Sequence, residues 1–229
     1  GGPCEARCNT DCTEQHSPCF NLVLTAMIKL DCIQGSPEWF AARMGIPTAS
    51  NFDRIITPTG KPSTQAEGYM NRLLAEWLTG KTSDIEQSEW MKRGIEMEAE
   101  ARDYYAFRHD VEVKQVGLVY QDDRRLVSCS PDGLLEVGGL EVKCPAPHTH
   151  VSYLLNGFPS DYIPQVQGSM YVTGRSWWDF ISYHPDMEPV IVRVKRDDAY
   201  IKTLEGLLNK FLAEMAARRD KLKHLRRAA

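Results

Sequence analysis

The chain has 229 residues, 42% of them hydrophobic and 25% charged, a balance that argues against intrinsic disorder and suits one α/β domain. Its net charge of −4 argues against a protein that coats nucleic acid through bulk positive charge, although an enzyme with local basic residues remains compatible with it. The nearest candidate for a membrane span, residues 20–28, is too short and too mixed. We therefore expect a soluble, cytoplasmic protein without a secretory signal.

Four of the seven cysteines crowd the first 20 residues, around His16. These four are Cys4, Cys8, Cys12 and Cys19. Their spacing lacks the paired Cys-x-x-Cys pattern of firm structural zinc sites, and the total count is odd. We therefore interpret residues 1–20 as a flexible leader and expect residues 21–229 to form a single domain.

Helical patterns dominate the first half of the chain. Ser36 followed by Pro37 is typical of a helix start, and Ser50 is expected to cap the next helix. The helices predicted here cover about residues 36–44, 50–56, 65–78 and 85–108. Residues 57–64 carry the turn signals of a loop between the second and third of them.

Short β-prone segments follow, with helices between them. Strands are predicted at about residues 111–119, 126–128, 134–137, 140–144, 177–183 and 190–194. Helices are predicted at about residues 148–155, 161–173 and 197–225. Gly138-Gly139 is interpreted as the turn of a hairpin. Together these elements predict an α/β fold with a central mixed β-sheet flanked by helices.

An acidic motif lies on the predicted hairpin. Asp132 follows Pro131, and nine residues later come Glu141, one spacer and Lys143. Because side chains alternate along a strand, Glu141 and Lys143 face the same way, and the hairpin can bring Asp132 beside them. Two carboxylates beside one ammonium suit a divalent metal and a water held against a phosphodiester. A surface strand with alternating charges is the alternative interpretation.

The chemistry predicted for this motif is metal-dependent. Its oxygen ligands favour Mg²⁺, with Mn²⁺ as a substitute, and the backbone carbonyl of Val142 is a candidate third ligand. Lys143 is predicted to position or deprotonate the attacking water and to offset charge on the phosphate. Asp122, ten residues before Asp132, is a candidate outer acid. Glu98 is a candidate for a further metal contact, with a solvated helix face as its alternative.

The motif belongs to a wider pattern that resembles one known family. The segments that carry the likeness are Glu38-Trp39 with Arg43, residues 45–50 (GIPTAS), residues 128–133 (SCSPDG), residues 139–145 (GLEVKCP) and residues 165–173 (QVQGSMYVT). In type and order they resemble the phage lambda exonuclease family of viral recombinases, a branch of the PD-(D/E)xK nuclease superfamily. The likeness extends over about residues 36–195.

This resemblance implies a restriction-endonuclease-like nuclease core over about residues 36–195, which the predicted helix at about residues 197–225 follows. It implies a Mg²⁺-dependent exonuclease with two ions per active site, which digests one strand of linear duplex DNA from its 5′ end. Such an enzyme releases mononucleotides and leaves a 3′ overhang for recombination by strand annealing. The family forms rings of three subunits around DNA, so the implied partners are DNA ends, two further copies and a single-strand annealing protein. The implied location is the cytoplasm of a bacterial host cell.

The resemblance also implies roles for single residues. The positions that match a pocket for the 5′-phosphate are Arg43, Ser50, Ser130 and Gln165. Forked arginine donors and hydroxyl groups suit a phosphate. A surface salt bridge is the alternative role for Arg43, and a helix-packing hydrogen bond is the alternative for Gln165. Met91 falls near the position of an apolar wedge between base pairs, with core packing as its alternative, and Lys61 lies in a loop that is placed to reach DNA.

Two other functions stay open from the sequence. A restriction-type or repair-type endonuclease on the same nuclease core would cut closed circular DNA, whereas the exonuclease needs a DNA end. A DNA-binding module without catalysis is the third possibility. The presence of Asp132, Glu141 and Lys143 argues against that module, and a metal-binding titration would distinguish it from the enzymes.

Overall fold

The structure is a computed structural model that describes residues 27–82 and 89–225, with side chains over 27–82 and 97–225. The predicted leader, its four cysteines and the predicted start of a helix at residue 85 lie outside the described residues. Within the described ranges, no helix has both the length and the apolar character needed to cross a membrane.

Helices and strands alternate in type much as the sequence pattern predicts, although several strands are shorter. The α-helices of the described chain are α1 (Pro37–Arg43), α2 (Ala66–Thr79), α3 (Glu89–His109), α4 (Pro147–Asn156), α5 (Ile163–Thr173) and α6 (Asp198–Leu222). Short 3₁₀ helices cover Ala49–Arg54, Ser160–Tyr162 and Lys223–Leu225. The strands are β1 (Ile28–Leu30), β2 (Leu118–Tyr120), β3 (Ser128–Cys129), β4 (Gly133–Leu134), β5 (Gly138–Lys143), β6 (Trp177–His184) and β7 (Met187–Lys195).

Side-chain caps explain where two helices begin. Ser36 Oγ accepts a hydrogen bond from the backbone N–H of Trp39 at 3.3 Å, as the predicted cap requires. At the start of α6, the Asp197 carboxylate accepts from the N–H groups of Ala199 and Tyr200, at 3.0 Å each. These bonds satisfy backbone donors that the first turn of a helix leaves unpaired.

The predicted cap at Ser50 is wrong. The helix here is a 3₁₀ helix that begins at Ala49, so Thr48 occupies the cap position and Ser50 lies inside the first turn. The physical reason is that Thr48 has extended backbone and continues a bridge to Ser128, which fixes where the turn can start. As a result the hydroxyl of Ser50 is exposed beside that of Thr48.

The described strands form two sheets, whereas the sequence pattern predicts one. Strands β1, β2 and β3 form an antiparallel sheet, and β4 to β7 form a mixed sheet in which β5 and β6 run parallel. The break falls between Cys129 and Gly133, where Pro131 has no N–H to donate to a ladder. Helices flank the mixed sheet, which confirms the predicted α/β class, and the break places Asp132 at the edge of that sheet.

Gly138 and Gly139 belong to β5 and not to the predicted turn, which instead occupies residues 135–137. A Cβ atom at Gly138 would overlap the ring of Trp177, and one at Gly139 would overlap the ring of Trp178. The two glycines are therefore needed for the close approach of β6, where those tryptophans pair with them in register.

Hydrophobic packing covers both faces of the mixed sheet. On one face Trp178 packs with residues of α2, α5 and α6, which include Leu73, Met70, Val166, Met170, Leu204 and Leu208. On the other face Leu140, Val142 and Ile181 pack with Met97, Ala101 and Tyr105 of α3. The sheet edge at β5 thus lies between α3 and α5, and both helices can contribute side chains to it.

The 3₁₀ helix Ala49–Arg54 packs closely on α5. A Cβ atom at Gly168 of α5 would overlap the ring of Phe52 and would contact Ala49 at 3.4 Å. Phe52 and Ala49 are buried. This contact fixes the position of the first turn of the 3₁₀ helix relative to the sheet edge.

Candidate active site

Asp132 lies beside the part of the β5 edge that has no strand partner. Strand β4 has only two residues, so its pairing with β5 ends at Gly133 and Leu140. Beyond that pair, Asp132 Oδ2 accepts a hydrogen bond from the backbone N–H of Val142 at 2.6 Å. The aspartate side chain thus continues the ladder where the strand partner stops, which fixes its carboxylate beside β5.

Glu141 and Lys143 lie on the opposite face of β5 from Val142, as strand alternation predicts. Glu141 is only 1% exposed, and its Oε1 accepts hydrogen bonds from Lys143 Nζ and from Gln165 Nε2, both at 2.5 Å. Both donors use the same oxygen, so neither of them engages Oε2. The structure brings Asp132, Glu141 and Lys143 together and adds Gln165 of α5 to them.

Glu98 joins this group from α3. Its carboxylate lies 3.7 Å from the guanidinium of Arg102, one turn further along the helix. Burial raises the pKa of Glu98 to about 7, and the charge of Asp132 adds to that effect, while Lys143 and Arg102 oppose it. Glu98 is therefore half-buried and close enough to Asp132 and Lys143 to interact with their charges.

The cluster holds a surplus of negative charge. Burial is the main cause that raises the pKa of Glu141 to about 7, and it raises the pKa of Asp132 as well. Burial by itself would lower the pKa of Lys143, but the charges of Glu141 and Asp132 outweigh it and raise that pKa. Three carboxylates thus share the two nearby cations Lys143 and Arg102. Lys143 is a stable ammonium here, which favours charge stabilisation over proton abstraction as its role.

The donor chemistry of the cluster fits a hard divalent cation, because its carboxylate oxygens are buried and incompletely neutralised. No group of three or more His, Cys, Asp or Glu side chains in the described ranges is arranged to hold a metal ion. The cause is visible in the contacts: Glu141 is turned to Lys143 and Gln165, and Glu98 leans toward Arg102. The carboxylates are therefore ligands of the type that a divalent cation prefers. In this structure Glu141 is bonded to Lys143 and Gln165, and Glu98 is paired with Arg102.

Trp39 links the Arg43 side chain to the loop that precedes Asp132. The indole N–H of Trp39 donates to Ser130 Oγ at 3.0 Å and to the Gly117 carbonyl at 2.9 Å. The guanidinium of Arg43 stacks on the indole ring, 3.8 Å from its centroid. Burial lowers the pKa of Arg43, yet an arginine remains charged at neutral pH. A fixed cation therefore lies against the tryptophan that contacts Ser130, two residues before Asp132.

Hydroxyl and amide groups surround this cation. Arg43 Nη2 donates to Thr48 Oγ1 at 3.3 Å, and Thr48 Oγ1 lies 3.1 Å from Ser50 Oγ. Asn51 Nδ2 donates to both hydroxyls, at 3.3 and 3.4 Å. Charged and neutral donors that converge in this way suit a phosphate. We define Arg43, Thr48, Ser50 and Asn51 as the anion pocket.

Two predicted site residues, Asp122 and Lys61, lie away from the acidic cluster, and a third, Met91, has a side chain outside the described residues. Asp122 is buried in the turn after β2, where its Oδ2 accepts from Arg124 Nε at 2.8 Å and Nη2 at 2.6 Å. Lys61 is exposed in the loop before α2, and its backbone N–H donates to Thr57 Oγ1. Met91 lies on the first turns of α3, but its side chain is outside the described residues. The roles assigned to these three residues stay predictions.

Sequence reasoning misses several residues of the site. Arg102 lies four residues after Glu98, a spacing that places them as neighbours on a helix and is the one local signal available. Arg72 donates to Asn51 from 21 residues away, a contact for which the sequence pattern has no local sign.

Comparisons with known proteins agree with the fold and the motif pattern. The chain matches a YqaJ-like viral recombinase domain over residues 38–176. It resembles the structure of LHK-Exo, an alkaline exonuclease from Laribacter hongkongensis, with 36% sequence identity and a TM-score of 0.75. The structure of LHK-Exo in complex with dAMP gives 37% identity and the same TM-score. In both cases the match covers 82% of this chain and 97% of the other.

A third structure supports the fold alone. A phage-related exonuclease from Haemophilus somnus 129PT matches with 14% identity and a TM-score of 0.57, over 76% of this chain and 96% of the other. A comparison with curated protein sequences finds no match. The family match covers more than half of the chain, and LHK-Exo is well above 30% identical over most of its length. The resemblance inferred from the sequence motifs is thereby confirmed: the chain belongs to the YqaJ-like viral recombinase family and has the fold of its alkaline exonucleases.

Proposed function

We propose that this chain is a Mg²⁺-dependent exonuclease that digests one strand of linear duplex DNA from its 5′ end, releases 5′-mononucleotides and leaves a 3′ overhang. The observation that carries this proposal is the meeting of Asp132, Glu141 and Lys143 at the edge of β5, together with Trp39, which joins Arg43 of the anion pocket to Ser130. The 37% identity to an alkaline exonuclease supports it independently.

The proposed metal ligands are the carboxylates of Asp132 and Glu141, the backbone carbonyl of Val142 and the carboxylate of Glu98. The N–H of Val142 faces Asp132, and the carbonyl of a strand residue points to the same edge as its N–H, which supports the assignment of Val142. Bound Mg²⁺, or Mn²⁺ in its place, would supply Lewis-acid activation of water and of the scissile phosphate. We propose two ions for each active site.

The side chains around these ligands have distinct tasks. Lys143 keeps its proton because Glu141 is beside it, so the ammonium can donate to the phosphate and offset the charge that develops there. Gln165 holds Glu141 Oε1 in place from α5. The carboxylates would orient the attacking water and accept the proton that it loses as it bonds to phosphorus. The 3′ oxygen of the released nucleotide, whose bond to phosphorus breaks, would take a proton from solvent.

The anion pocket explains the proposed direction of digestion. Arg43, Ser50, Ser130 and Gln165 would bind the 5′-phosphate of the terminal nucleotide, and Gln165 also donates a hydrogen bond to Glu141. Breakage of the bond between phosphorus and the 3′ oxygen leaves the phosphate on the shortened strand. Every cut would thus create a new 5′-phosphate for the same pocket.

Further parts of the proposal concern assembly and partners. We propose a homotrimeric ring around the duplex, which makes digestion processive, and a single-strand annealing protein that receives the 3′ overhang. Lys61 would contact the duplex, Met91 would act as a wedge at the terminal base pairs, and Asp122 would serve as an outer acid. Action on phage or host DNA would take place in the bacterial cytoplasm.

Digestion of matched DNA substrates tests the proposal. Linear duplexes with 5′-phosphate or 5′-hydroxyl ends and a closed circle of the same sequence are incubated with the protein in Mg²⁺. We expect mononucleotides from the phosphorylated linear duplex and an intact circle. Nicking or linearisation of the circle would leave the assignment of the metal ligands standing, but it would overturn the exonuclease proposal in favour of the alternative function, an endonuclease.

A further inference from the structure

Arg72 of α2 adjoins the anion pocket through Asn51, whereas Arg43 contacts Thr48. Its Nη2 donates to Asn51 Oδ1 at 3.0 Å, and Asn51 in turn donates to the hydroxyls of Thr48 and Ser50. The ring of Tyr69 lies 5.0 Å from the Arg72 guanidinium, and the Tyr69 hydroxyl accepts from the backbone N–H of Thr48 at 3.1 Å. Arg72 is thus held against the pocket by two contacts.

Arg72 has hydrogen-bond capacity that the protein does not use. Its Nε is buried and makes no hydrogen bond with any residue of the described chain. The carboxylate of Glu76 is 4.0 Å from Nε, which is beyond hydrogen-bond distance, and Glu76 Oε2 accepts from the Gly45 N–H at 3.1 Å instead. A buried donor of this kind is costly unless a ligand supplies the acceptor.

The two arginines contact the same group of linked polar residues. Arg43 donates to Thr48, Arg72 donates to Asn51, and Asn51 donates to Thr48. Burial is the main cause that lowers the pKa of Arg43; Tyr69 and the carboxylate of Glu76 oppose it, and the positive charge of Arg72 adds to it. Repulsion between two guanidinium groups that the fold holds close together is relieved by an anion of charge two better than by one of charge one.

We propose that Arg72, positioned by Asn51, is a second phosphate-binding arginine of the anion pocket and that the pair Arg43 and Arg72 selects a terminal phosphate monoester. A phosphate monoester carries about −1.5 to −2 charge near pH 7, whereas an internal diester carries one charge and a 5′-hydroxyl end carries none. The inference rests on the proposed function, because it assigns a specificity residue to the same pocket.

The consequence is selection of DNA ends by charge. Arg72 discriminates the terminal phosphate from every phosphate inside the strand, since only the former is a dianion with three unlinked oxygens. It also favours the shortened strand over a 5′-hydroxyl end after each cut, because that strand again ends in a monoester.

The test uses the full chain and its variants Arg72→Gln and Arg72→Lys. For each protein kcat/KM is measured on linear duplexes that differ only in a 5′-phosphate or 5′-hydroxyl end, and inhibition by a free 5′-mononucleotide is measured beside it. For Arg72→Gln we expect the ratio of the two kcat/KM values and the inhibitor affinity each to fall by about tenfold or more, since charge-assisted hydrogen bonds are lost. The loss of kcat/KM on the 5′-hydroxyl duplex should be smaller than the loss on the 5′-phosphate duplex. Arg72→Lys keeps the positive charge but lacks the forked donors of a guanidinium. Its ratio and inhibitor affinity should lie between those of the wild type and those of Arg72→Gln.

Arg108→Gln is the matched control. Arg108 is exposed near the end of α3, and its replacement by glutamine changes the net charge by the same amount. Thermal unfolding reports whether the variants fold; if Arg72→Gln does not, the ratio for Arg72→Lys decides. A wild-type preference for 5′-phosphate that survives unchanged in the Arg72 variants would overturn this inference and leave the proposed pocket standing. Absence of that preference in the wild type would overturn the pocket and the inference together.

Discussion

Lys143 contacts Glu141 directly and is the single cation on β5 within the acidic part of the site, among the residues that the structure describes. Replacement by alanine, Lys143→Ala, removes the positive charge that faces the phosphate but leaves the carboxylates in place. We expect kcat to fall by about a hundredfold or more, with DNA binding and fold retained.

Stopped digestion assays and duplex-binding assays measure the two effects separately. Lys114→Ala is the matched control, because Lys114 is exposed and its partner Glu112 is 3.5 Å away at the surface, where an ion pair contributes little. A Lys143→Ala protein that still digests DNA at the wild-type rate would refute the assignment of the active site.

The buried acids also predict how metal binding depends on pH. Glu98 and Glu141 have pKa values raised to about 7, so each is mostly protonated at pH 6 and mostly ionised at pH 8. A metal must displace those protons, and its affinity should therefore rise with pH through this window, by roughly tenfold per pH unit for each proton displaced. Calorimetric titration with Mn²⁺ at pH 6 and pH 8, in buffers of different ionisation enthalpy, measures affinity and proton release. Equal affinities without proton release would contradict the ligand assignment.

Replacement of Arg43 tests whether the anion pocket and the metal site act separately, the first in phosphate binding and the second in metal binding. Its guanidinium contacts Trp39 and Thr48, while the acidic cluster is served by Lys143 and Arg102. Arg43→Ala should therefore reduce the preference for 5′-phosphate ends by about tenfold or more and leave Mn²⁺ affinity within about twofold. Loss of Mn²⁺ binding in this variant would show that the pocket has been assigned wrongly.

At the scale of elements, the packing of the 3₁₀ helix Ala49–Arg54 against α5 fixes the position of Ser50 and Asn51 of the anion pocket. Gly168→Ala would force a methyl group against Phe52 in a closely packed contact. We expect a loss of about 1–3 kcal/mol in the free energy of unfolding, and weaker selection of 5′-phosphate ends because Ser50 moves with the helix.

Gly206→Ala is the matched control for that change. Gly206 lies inside α6, and a Cβ atom there meets nothing within 4 Å among the described residues. The same substitution should stabilise the protein by about 0.5–1 kcal/mol, since alanine is the better helix former. Denaturant unfolding measures both. Equal effects of the two substitutions would show that the contact between Gly168 and Phe52 does not hold the pocket in place.

Element types follow well from local chemistry, and element pairing does not. The cap at Ser36 and the alternation of Glu141 and Lys143 depend on neighbours within a few residues, so the sequence pattern predicts both. The break between the two sheets and the place of Gly138 in β5 depend on strands far along the chain. Such long-range contacts leave no periodic signal in the segment itself.

For the molecule as a whole, the family and the candidate catalytic residues can be predicted from the order of short motifs. The contacts that complete the site cannot, because they join distant elements: Gln165 of α5 reaches Glu141 of β5, and Arg72 of α2 reaches Asn51. Each of those partners is a common polar residue that would be equally plausible on the surface. Gln165 is predicted as a pocket residue from the motif resemblance, but its bond to Glu141 and the contact of Arg72 with Asn51 become visible only once burial and distance are known.

Strand polarity tests the proposed function of the whole molecule most directly. A linear duplex with 5′-phosphate ends is prepared in two forms, with a label on the 5′-terminal nucleotide or on the 3′-terminal nucleotide of the same strand, and is digested in Mg²⁺. The proposed function predicts immediate release of the 5′ label as a mononucleotide, while the 3′ label stays in a long single strand until late in the reaction. Early release of the 3′ label, or labelled fragments longer than one nucleotide, would contradict it.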